Sequence, residues 1–239
     1  MSRAGRFLDV CQLGLPLPHQ PALGREDFIV SSCNAAAARL IDDWPHWQFG
    51  RAAVIIGPNG AGKSHLARAF ARRAGATVAA AHVLVASASL AFGDAAPARV
   101  VEDVDRGVDE PALLHLFNAT LEAGGFVLMT ACTPPARWPL ALPDLVSRLR
   151  VLQVAEIGAP DDAILPALIG KLFADRQLAV GAEAIAFMLP RIERSYAALH
   201  TLVEALDRAA LSGARAVTVP LVRAVLAGDA TPYDEAMKS

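Results

Sequence analysis

The sequence has few cysteines and no paired-cysteine motif. Its three cysteines, Cys11, Cys33 and Cys132, are far apart, and none belongs to a C-x-x-C pair or a cysteine–histidine cluster. Three scattered thiols favour neither a disulfide framework nor a structural zinc site. Because free thiols persist in reducing compartments, the pattern is typical of a cytoplasmic protein.

The sequence also lacks a long uninterrupted apolar run. The longest stretch without a charged side chain, residues 74–93, is broken by glycine, histidine and serine. The N-terminus has no apolar core of the kind that a signal peptide needs. Since a membrane span needs about 20 predominantly apolar residues, the pattern argues against a membrane protein and favours a buried strand within residues 74–93.

The sequence also has no excess of positive charge and few aromatic side chains. Lysine and arginine number 22 against 24 acidic residues, which gives a net charge of −2, and aromatic residues make up 6% of the chain. This balance provides no broad basic surface for DNA and few aromatic platforms for single strands. Any contact with DNA is therefore expected to be local or to run through a partner protein.

The chain does contain enough apolar material for a sizeable core. Apolar residues make up 54% and charged residues 19% of the 239 positions, which excludes intrinsic disorder as the state of the whole chain. Residues 1–24 contain three prolines without helical or strand periodicity, and they predict an extended leader. Residues 25–158 and 159–239 differ in pattern and predict a core and a smaller helical subdomain.

Residues 25–158 alternate short apolar runs with helical patterns. Helices are predicted at 26–47, 64–74 and 111–123, and strands at 53–56, 83–86, 100–101, 126–130 and 151–154. Such alternation is typical of a mostly parallel sheet covered by helices on both faces. Residues 159–239 predict only helices, at 161–175, 181–190, 195–211 and 220–227, with an apolar stripe along the third. We therefore expect an α/β fold, a three-layer αβα core followed by an all-helical subdomain.

A glycine-rich loop lies between the strand predicted at 53–56 and the helix predicted at 64–74. Its sequence, GPNGAGKS, satisfies G-x-x-x-x-G-K-[ST] at every required position, in the strand–loop–helix context of a phosphate-binding P-loop. Glycines let successive backbone N–H groups surround a phosphate, the lysine reaches the β- and γ-phosphates, and the hydroxyl ligates Mg²⁺. The predicted nucleotide-binding residues are Gly57, Pro58, Asn59, Gly60, Ala61, Gly62, Lys63, Ser64 and His65.

An acidic turn follows the strand predicted at 100–101. A P-loop site needs a carboxylate at the tip of a neighbouring strand, which holds Mg²⁺ through water and, in hydrolases, orients the attacking water. Glu102 and Asp103 are the candidates. Their order leaves open which of the two faces the metal and which faces the water.

Motifs along nearly the whole chain resemble those of the Hda family, the DnaA-related AAA+ regulators of bacterial replication initiation. The matching segments, in the family's order, are QLGLPL at 12–17, GKSHL at 62–66, EDVD at 102–105, TPP at 133–135, LPDL at 142–145, SRL at 147–149, LDRA at 206–209 and TVP at 218–220. The resemblance implies an AAA+ core with a helical lid, ADP or ATP with Mg²⁺ as the bound cofactor, and weak self-hydrolysis at most.

The leader resembles the element with which this family docks on the DNA polymerase sliding clamp, the β subunit. Leucines separated by small or rigid residues on a proline-stiffened arm can insert into a partner's groove at a modest ordering cost. The alternative is an apolar arm that folds onto the protein's own core. The predicted clamp-binding residues are Gln12, Leu13, Leu15, Pro16 and Leu17.

The resemblance assigns Arg148 as an arginine finger. Such a residue enters a neighbouring subunit's nucleotide site and stabilises charge on the transferring phosphoryl group. From the residues alone, the alternative is a surface arginine paired with a carboxylate such as Asp144.

The resemblance also implies residues that sense the nucleotide. Thr130, at the end of the strand predicted at 126–130, occupies the polar sensor position and can form hydrogen bonds. The family carries a phosphate-contacting arginine in its lid helix, whereas this chain has Ala197 there. Arg191 and Arg194 are the candidate substitutes.

As a whole, the resemblance implies a negative regulator of replication initiation, located in the cytoplasm near the nucleoid and the replisome. Such a protein holds the clamp, reaches DNA only through it, and stimulates hydrolysis of DnaA-bound ATP. A second copy of the chain is a further candidate partner, and no membrane is involved. Because about ten residues follow the predicted lid, we expect no C-terminal DNA-binding domain of the kind that DnaA carries.

Two other functional classes stay open. One is a helicase loader or transposase helper of the DnaC or IstB kind, which grips single-stranded DNA with basic and aromatic residues. The charge balance and the low aromatic content disfavour it. The other is a nucleotide-bound adaptor without a catalytic role, which differs from the leading hypothesis only in whether Arg148 acts on a partner's nucleotide.

Overall fold

The computed structural model describes residues 24–84, 97–213 and 216–228. The helices are α1 Ala35–Asp42, α2 Lys63–Ala74, α3 Glu110–Glu122, α4 Pro143–Leu149, α5 Leu165–Ala174, α6 Ala182–Met188, α7 Tyr196–Gly213 and α8 Val219–Ala227. The strands are β1 Ala52–Ile56, β2 Thr77–Ala80, β3 Ala98–Glu102, β4 Phe126–Ala131 and β5 Gln153–Glu156. Short 3₁₀ helices occur at Ala81–Val83, Val104–Arg106 and Pro135–Arg137.

The strands form one parallel sheet in the order β2-β3-β4-β1-β5. β1 lies between β4 and β5, with Ala53 opposite Leu128 on one side and Val54 opposite Val154 on the other. Every residue of β1 is buried, as expected of a strand in a parallel sheet covered on both faces. Because parallel strands end at the same edge, the loop after β1 and the turns after β3 and β4 meet there.

Successive residues of β1 face opposite sides of the sheet and enter two separate cores. Ala53 and Ile55 pack with residues of α1 and α2, among them the fully covered Phe70. Val54 and Ile56 pack with residues of α3 and α4. Burying one large apolar side chain stabilises the fold by about 1.5–3 kcal/mol. Helices on both faces of the sheet confirm the predicted three-layer αβα core.

Helices α5 to α8 form a third core of their own. The apolar stripe predicted along the third of them is confirmed, since Leu199, Leu202, Val203, Leu206 and Ala210 of α7 are all buried. The four larger side chains pack with apolar residues of α5, α6 and α8. As predicted, the described residues of this subdomain are helical apart from one isolated bridge, between Val180 and Val217. Within the three described ranges, no helix combines the length and the apolar character that crossing a bilayer requires.

The strand predicted at 83–86 is wrong, because the edge strand lies earlier, at β2. Gly75 ends α2 with a left-handed backbone (φ +61°), and the chain then pairs with β3 almost at once. Val83 belongs to a 3₁₀ helix and is exposed, while residues 85–86 lie outside the described part. An apolar run without alternation does not fix which of its residues form the strand.

Two other predicted boundaries shift. The helix predicted at 26–47 covers only α1, because the Asn34 side chain bonds to the backbone of the preceding turn on both its oxygen and its nitrogen. Such local bonds compete with helix formation, so the helix begins after Asn34. The strand predicted at 151–154 begins two residues later, at the start of β5, and Val151 is exposed in the turn before it.

Candidate nucleotide site

The phosphate loop joins the end of β1 to the start of α2 through a tight backbone path. Gly60 and Gly62 have positive φ values, +78° and +91°, which residues with side chains rarely adopt. A Cβ atom on Gly62 would lie 2.9 Å from the Phe28 ring, and one on Gly57 would lie 2.8 Å from the Ile157 carbonyl oxygen. The loop therefore needs glycine here, and its backbone can approach a phosphate closely.

Lys63 opens α2 and bends back over the loop. Its Nζ donates to the carbonyl oxygens of Gly57 (2.8 Å) and Pro58 (2.9 Å), and the residue is 6% exposed. Nζ also lies 3.6 Å from the Sγ of Cys132, which directly follows β4. The amine is held at the loop by two neutral acceptors, and an anionic oxygen is a stronger acceptor than either. Ser64, the next residue, is exposed in the first turn of α2.

The acidic turn lies at the end of β3, beside the end of β4. Asp103 has a left-handed backbone (φ +57°), and its N–H donates to the Thr130 hydroxyl at 3.2 Å. Thr130 is fully buried. The predicted sensor and the acidic turn are therefore in direct contact, although 27 residues separate them.

Glu102 and Ser64 fit a Mg²⁺ site. The Glu102 Oε1 is buried and has no hydrogen-bond partner within the described ranges. A buried carboxylate oxygen without a donor is unfavourable, and a cation or its bound water would satisfy it. Carboxylate, hydroxyl and water oxygens are the ligands that Mg²⁺ prefers. Asp103, by contrast, faces the Arg106 guanidinium at 3.8 Å, so Glu102 is the better candidate of the two predicted carboxylates.

Asp105 and Thr133 join the acidic turn to the end of β4, and sequence reasoning does not single them out as site residues. The Asp105 Oδ2 accepts hydrogen bonds from the N–H groups of Cys132 and Thr133, both at 2.9 Å, and from the Thr133 hydroxyl at 3.0 Å. The only signal in the sequence is that both segments follow predicted strands of one parallel sheet. That signal predicts proximity but not the bonds themselves.

A cavity of about 230 Å³ lies between the phosphate loop, the segment before α1 and the lid helices. Phe28 and Leu168 are among the apolar side chains that line it. His65 packs edge to face on Phe28, with ring centroids 5.4 Å apart, and its Nε2 donates to the Gly24 carbonyl oxygen at 2.6 Å. The size and lining of the cavity suit an aromatic ring held beside the phosphate loop.

The lid contacts the phosphate loop through His200 of α7. The His200 Nε2 lies 3.3 Å from the Gly60 carbonyl oxygen. Ala197, where the resemblance implies a lid arginine in the family, is exposed one turn earlier on the same helix. An imidazole therefore makes the contact between lid helix and loop in this chain.

Both candidate substitutes for the lid arginine contact residues outside the phosphate loop. Arg194 pairs with Asp162 at 2.7 Å, and this hydrogen bond raises the pKa of Arg194. Arg191 lies over the Phe187 ring, 3.8 Å from its centroid. The structure does not bring either guanidinium into a hydrogen bond with the described residues of the phosphate loop.

Polar contacts tie the segment before α1 to the start of the lid. The Ser32 hydroxyl donates to the Asp161 Oδ2 at 2.6 Å, and this bond, followed by the Ile164 N–H, lowers the pKa of Asp161. Burial, with a smaller contribution from the nearby Cys33 thiol, raises the pKa of Tyr196. Near neutral pH, Asp161 is thus ionised and Tyr196 protonated, which are the forms that these contacts require.

Arg148 lies in the last turn of α4 with its side chain exposed. Among the residues that the structure describes, it forms no ion pair, either with Asp144 or with any other carboxylate. Its guanidinium is therefore available to a partner. The predicted clamp-binding residues, 12–17, lie outside the described residues.

Known proteins resemble both parts of the chain. The family described as "Hda, lid domain" matches residues 167–226. Domain III of the replication initiation protein DnaA from Thermotoga maritima is similar with a TM-score of 0.75 at 16% identity, over 90% of this chain and 100% of that one. AMPPCP-bound DnaA from Aquifex aeolicus gives a TM-score of 0.63 at 18% identity, over 79% of this chain and 66% of that one. A mutant of RuvB from Thermotoga maritima gives 0.65 at 16% identity, over 87% and 73%.

The phosphate loop, the parallel sheet and the helical lid define a P-loop nucleotide-binding protein with the AAA+ fold. The structural likenesses, all below 20% identity, establish this fold. Residues 167–226 match the Hda lid-domain family, and the fold is similar to that of DnaA domain III. Both findings agree with the resemblance drawn from the motifs.

Proposed function

We propose that the protein is a regulator of replication initiation that acts on DnaA. It binds an adenine nucleotide with Mg²⁺, tethers itself to the sliding clamp through its leader, and stimulates hydrolysis of DnaA-bound ATP through Arg148. Hydrolysis would switch the initiator off once replication has begun. The observation that carries the proposal is the exposed Arg148 at the end of α4, which has no ion-pair partner among the described residues, in a DnaA-like fold with an Hda-family lid.

Nucleotide binding is supported by the construction of the loop. Its glycines leave the backbone open to a phosphate, and Lys63 holds a positive charge against two neutral carbonyls. AMPPCP is bound to the structurally similar Aquifex DnaA, which supports an adenine nucleotide. Bound Mg²⁺ would neutralise phosphate charge, and Glu102 and Ser64 are the residues that would hold it.

The chemistry of arginine suits the role proposed for Arg148. A guanidinium stays charged at any physiological pH and presents a planar fork to two phosphate oxygens. Because Arg148 has no carboxylate partner within the described residues, reaching across an interface breaks no ion pair. The charge that develops on a transferring phosphoryl group is what such a finger stabilises.

The residues of the protein's own site favour nucleotide binding over nucleotide hydrolysis. Ala197 provides no cation where the family has its lid arginine, and Arg194 and Arg191 are engaged elsewhere. Thr130 and Asp103 bond to each other through an uncharged hydroxyl. We therefore propose that ADP or ATP acts mainly as a bound cofactor that organises the loop and the lid.

The proposal is tested by measuring hydrolysis of DnaA-bound ATP with purified protein, in the presence and absence of clamp loaded on DNA. We expect stimulation only with loaded clamp. Because an arginine finger contributes about 10³–10⁵ in rate, Arg148→Ala should reduce the stimulated rate to near background while clamp binding is retained. Arg148→Lys should fail to restore the rate, since an ammonium lacks the planar fork.

The matched control is Arg150→Ala, which removes an exposed arginine just after α4. This variant should stimulate as the wild type does. Full stimulation by Arg148→Ala would disprove the finger assignment and favour an adaptor whose partner supplies the catalytic groups.

A further inference from the structure

A second cation faces the phosphate loop from the acidic turn. Arg106 ends the 3₁₀ helix Val104–Arg106 that follows β3. Its Nη2 donates to the Asn59 Oδ1 at 2.6 Å, and its Nη1 lies 3.8 Å from the Asp103 Oδ2. The guanidinium therefore bridges the third residue of the phosphate loop and a carboxylate of the acidic turn.

Arg106 and Lys63 approach the same part of the loop from different elements. The Cys132 thiol donates to the Asn59 Oδ1 at 3.1 Å, and the Lys63 Nζ lies 3.6 Å from the same sulfur. A short row of contacts thus connects the lysine amine, the thiol, the Asn59 amide and the Arg106 guanidinium. Two positive charges lie at the two ends of this row, which borders the place where a phosphate would bind.

The present partners of Arg106 are weak competitors for an anion. Asn59 offers a neutral amide oxygen, and the pair with Asp103 is long and open to water, with the side chains 55% and 40% exposed. Exposed pairs of this kind contribute little to stability. A guanidinium has five donors in a rigid fork, and phosphate oxygens accept two of them at once. Arg106 can therefore turn to a phosphate at little expense.

We propose that Arg106 binds the terminal phosphate of a nucleoside triphosphate in its own subunit, and so adds affinity for a triphosphate that a diphosphate does not gain. The inference rests on the proposed function insofar as the loop must bind a nucleotide. The terminal phosphate is indicated because Arg106 comes from the acidic turn, and the carboxylates of such a turn lie on the γ-phosphate side of a P-loop site. This role within one subunit is separate from that of Arg148, which acts on a partner's nucleotide.

The test is equilibrium binding of Mg²⁺-ADP and of the non-hydrolysable Mg²⁺-AMPPCP by calorimetry. A charged hydrogen-bond pair is worth about tenfold or more in affinity, so Arg106→Ala should weaken AMPPCP binding about tenfold or more and change ADP binding less than twofold. Arg106→Lys should give an intermediate loss, since it keeps the charge without the fork. The control is Arg72→Ala, which removes an exposed arginine of α2 and should alter neither affinity.

The possible outcomes test the role of Arg106 and the proposed nucleotide site separately. Equal weakening of both ligands by Arg106→Ala, or no weakening of AMPPCP, would overturn the inference while leaving the nucleotide site intact. Binding of neither ligand by the wild-type protein would instead overturn the proposed nucleotide site. An unchanged melting temperature without ligand would show that Arg106→Ala is folded and that the comparison of affinities is valid.

Discussion

At the scale of single residues, Lys63 carries a positive charge in an almost fully buried position without a carboxylate partner among the described residues. Its amine is satisfied by two backbone carbonyls of the loop that it serves. Burying a charge is unfavourable unless it is well hydrogen-bonded, so this arrangement is only moderately favourable in the absence of an anion. The ligand is expected to supply what the carbonyls do not.

Replacing Lys63 with alanine should remove the stabilisation that a nucleotide provides. For wild-type protein, a ligand at about 100 times its dissociation constant raises the free energy of unfolding by about 2.7 kcal/mol. In urea unfolding with Mg²⁺-ADP, the Lys63→Ala variant should show almost none of this rise in the free energy of unfolding. Without ligand, its free energy of unfolding should differ from that of the wild type by much less than this rise. Arg68→Ala, which removes an exposed charge from the same helix, should keep the full gain. An undiminished gain for Lys63→Ala would contradict the assigned role.

At the scale of elements, one carboxylate holds two strand ends together. Asp105, in the 3₁₀ helix after β3, accepts three hydrogen bonds from the two residues after β4. Without it, two backbone N–H groups at the edge of the sheet would lose their acceptor. The positions of Glu102 and Thr130 depend on how these two strand ends are aligned, so the link also serves the site.

Asp105→Ala should therefore destabilise the protein and weaken nucleotide binding together. Hydrogen bonds to a charged group contribute about 1.5–3 kcal/mol, and because water can replace part of them at this half-buried position, we expect a loss of about 2–4 kcal/mol in urea unfolding. Asp105→Asn, which keeps one acceptor oxygen, should lose less. Asp43→Ala removes an exposed carboxylate elsewhere and should be nearly neutral; an equally small effect of Asp105→Ala would refute the link.

Elements with strong local signals could be predicted from the sequence. The strand and helix around the phosphate loop follow from a β-branched run, fixed glycine spacing and a helical pattern, and α7 follows from its apolar stripe. The predicted position of the edge strand β2 is wrong, because the alanine-rich run after Gly75 has no alternation to mark the paired residues. The predicted start of α1 is wrong because side-chain bonds of Asn34 to the backbone outweigh helix propensity.

The part of the candidate site that lies within one segment could be predicted, and the part that joins segments could not. The sequence of residues 57–64 identifies the phosphate loop directly. The bonds of Asp105 to Thr133, of Arg106 to Asn59 and of His200 to Gly60 join residues 28, 47 and 140 positions apart. No local pattern encodes such pairs, because they arise only when parallel strands end at one edge and the lid packs above it.

At the scale of the whole molecule, the net charge of −2 provides no broad basic surface for DNA, and the proposed function therefore assigns tethering to the leader. A clamp that encircles DNA would bring the protein to DNA without phosphate contacts of its own. Binding through apolar leucines should also persist at salt concentrations that abolish binding through phosphates.

Changing Gln12, Leu15 and Leu17 together to alanine should abolish clamp binding in a pull-down with purified sliding clamp, because the apolar anchors and the polar anchor are all removed. The paired change of His19 and Gln20 to alanine lies in the same leader and should leave binding intact. Repeating the pull-down at high salt checks the apolar character of the contact. Undiminished capture of the triple variant would favour the alternative in which the leader packs on the protein's own core.

The order of the strands in the sheet also affects folding during synthesis of the chain. β1 ends at Ile56, but its neighbour β4 begins only at Phe126, about 70 residues later, and β5 later still. At synthesis rates of about 5–20 residues per second, roughly 4–14 s pass between the two. During that time the most apolar strand of the sheet has neither neighbour and is exposed on the nascent chain. Ribosome-associated chaperones should therefore engage this protein between the emergence of β1 and that of β4.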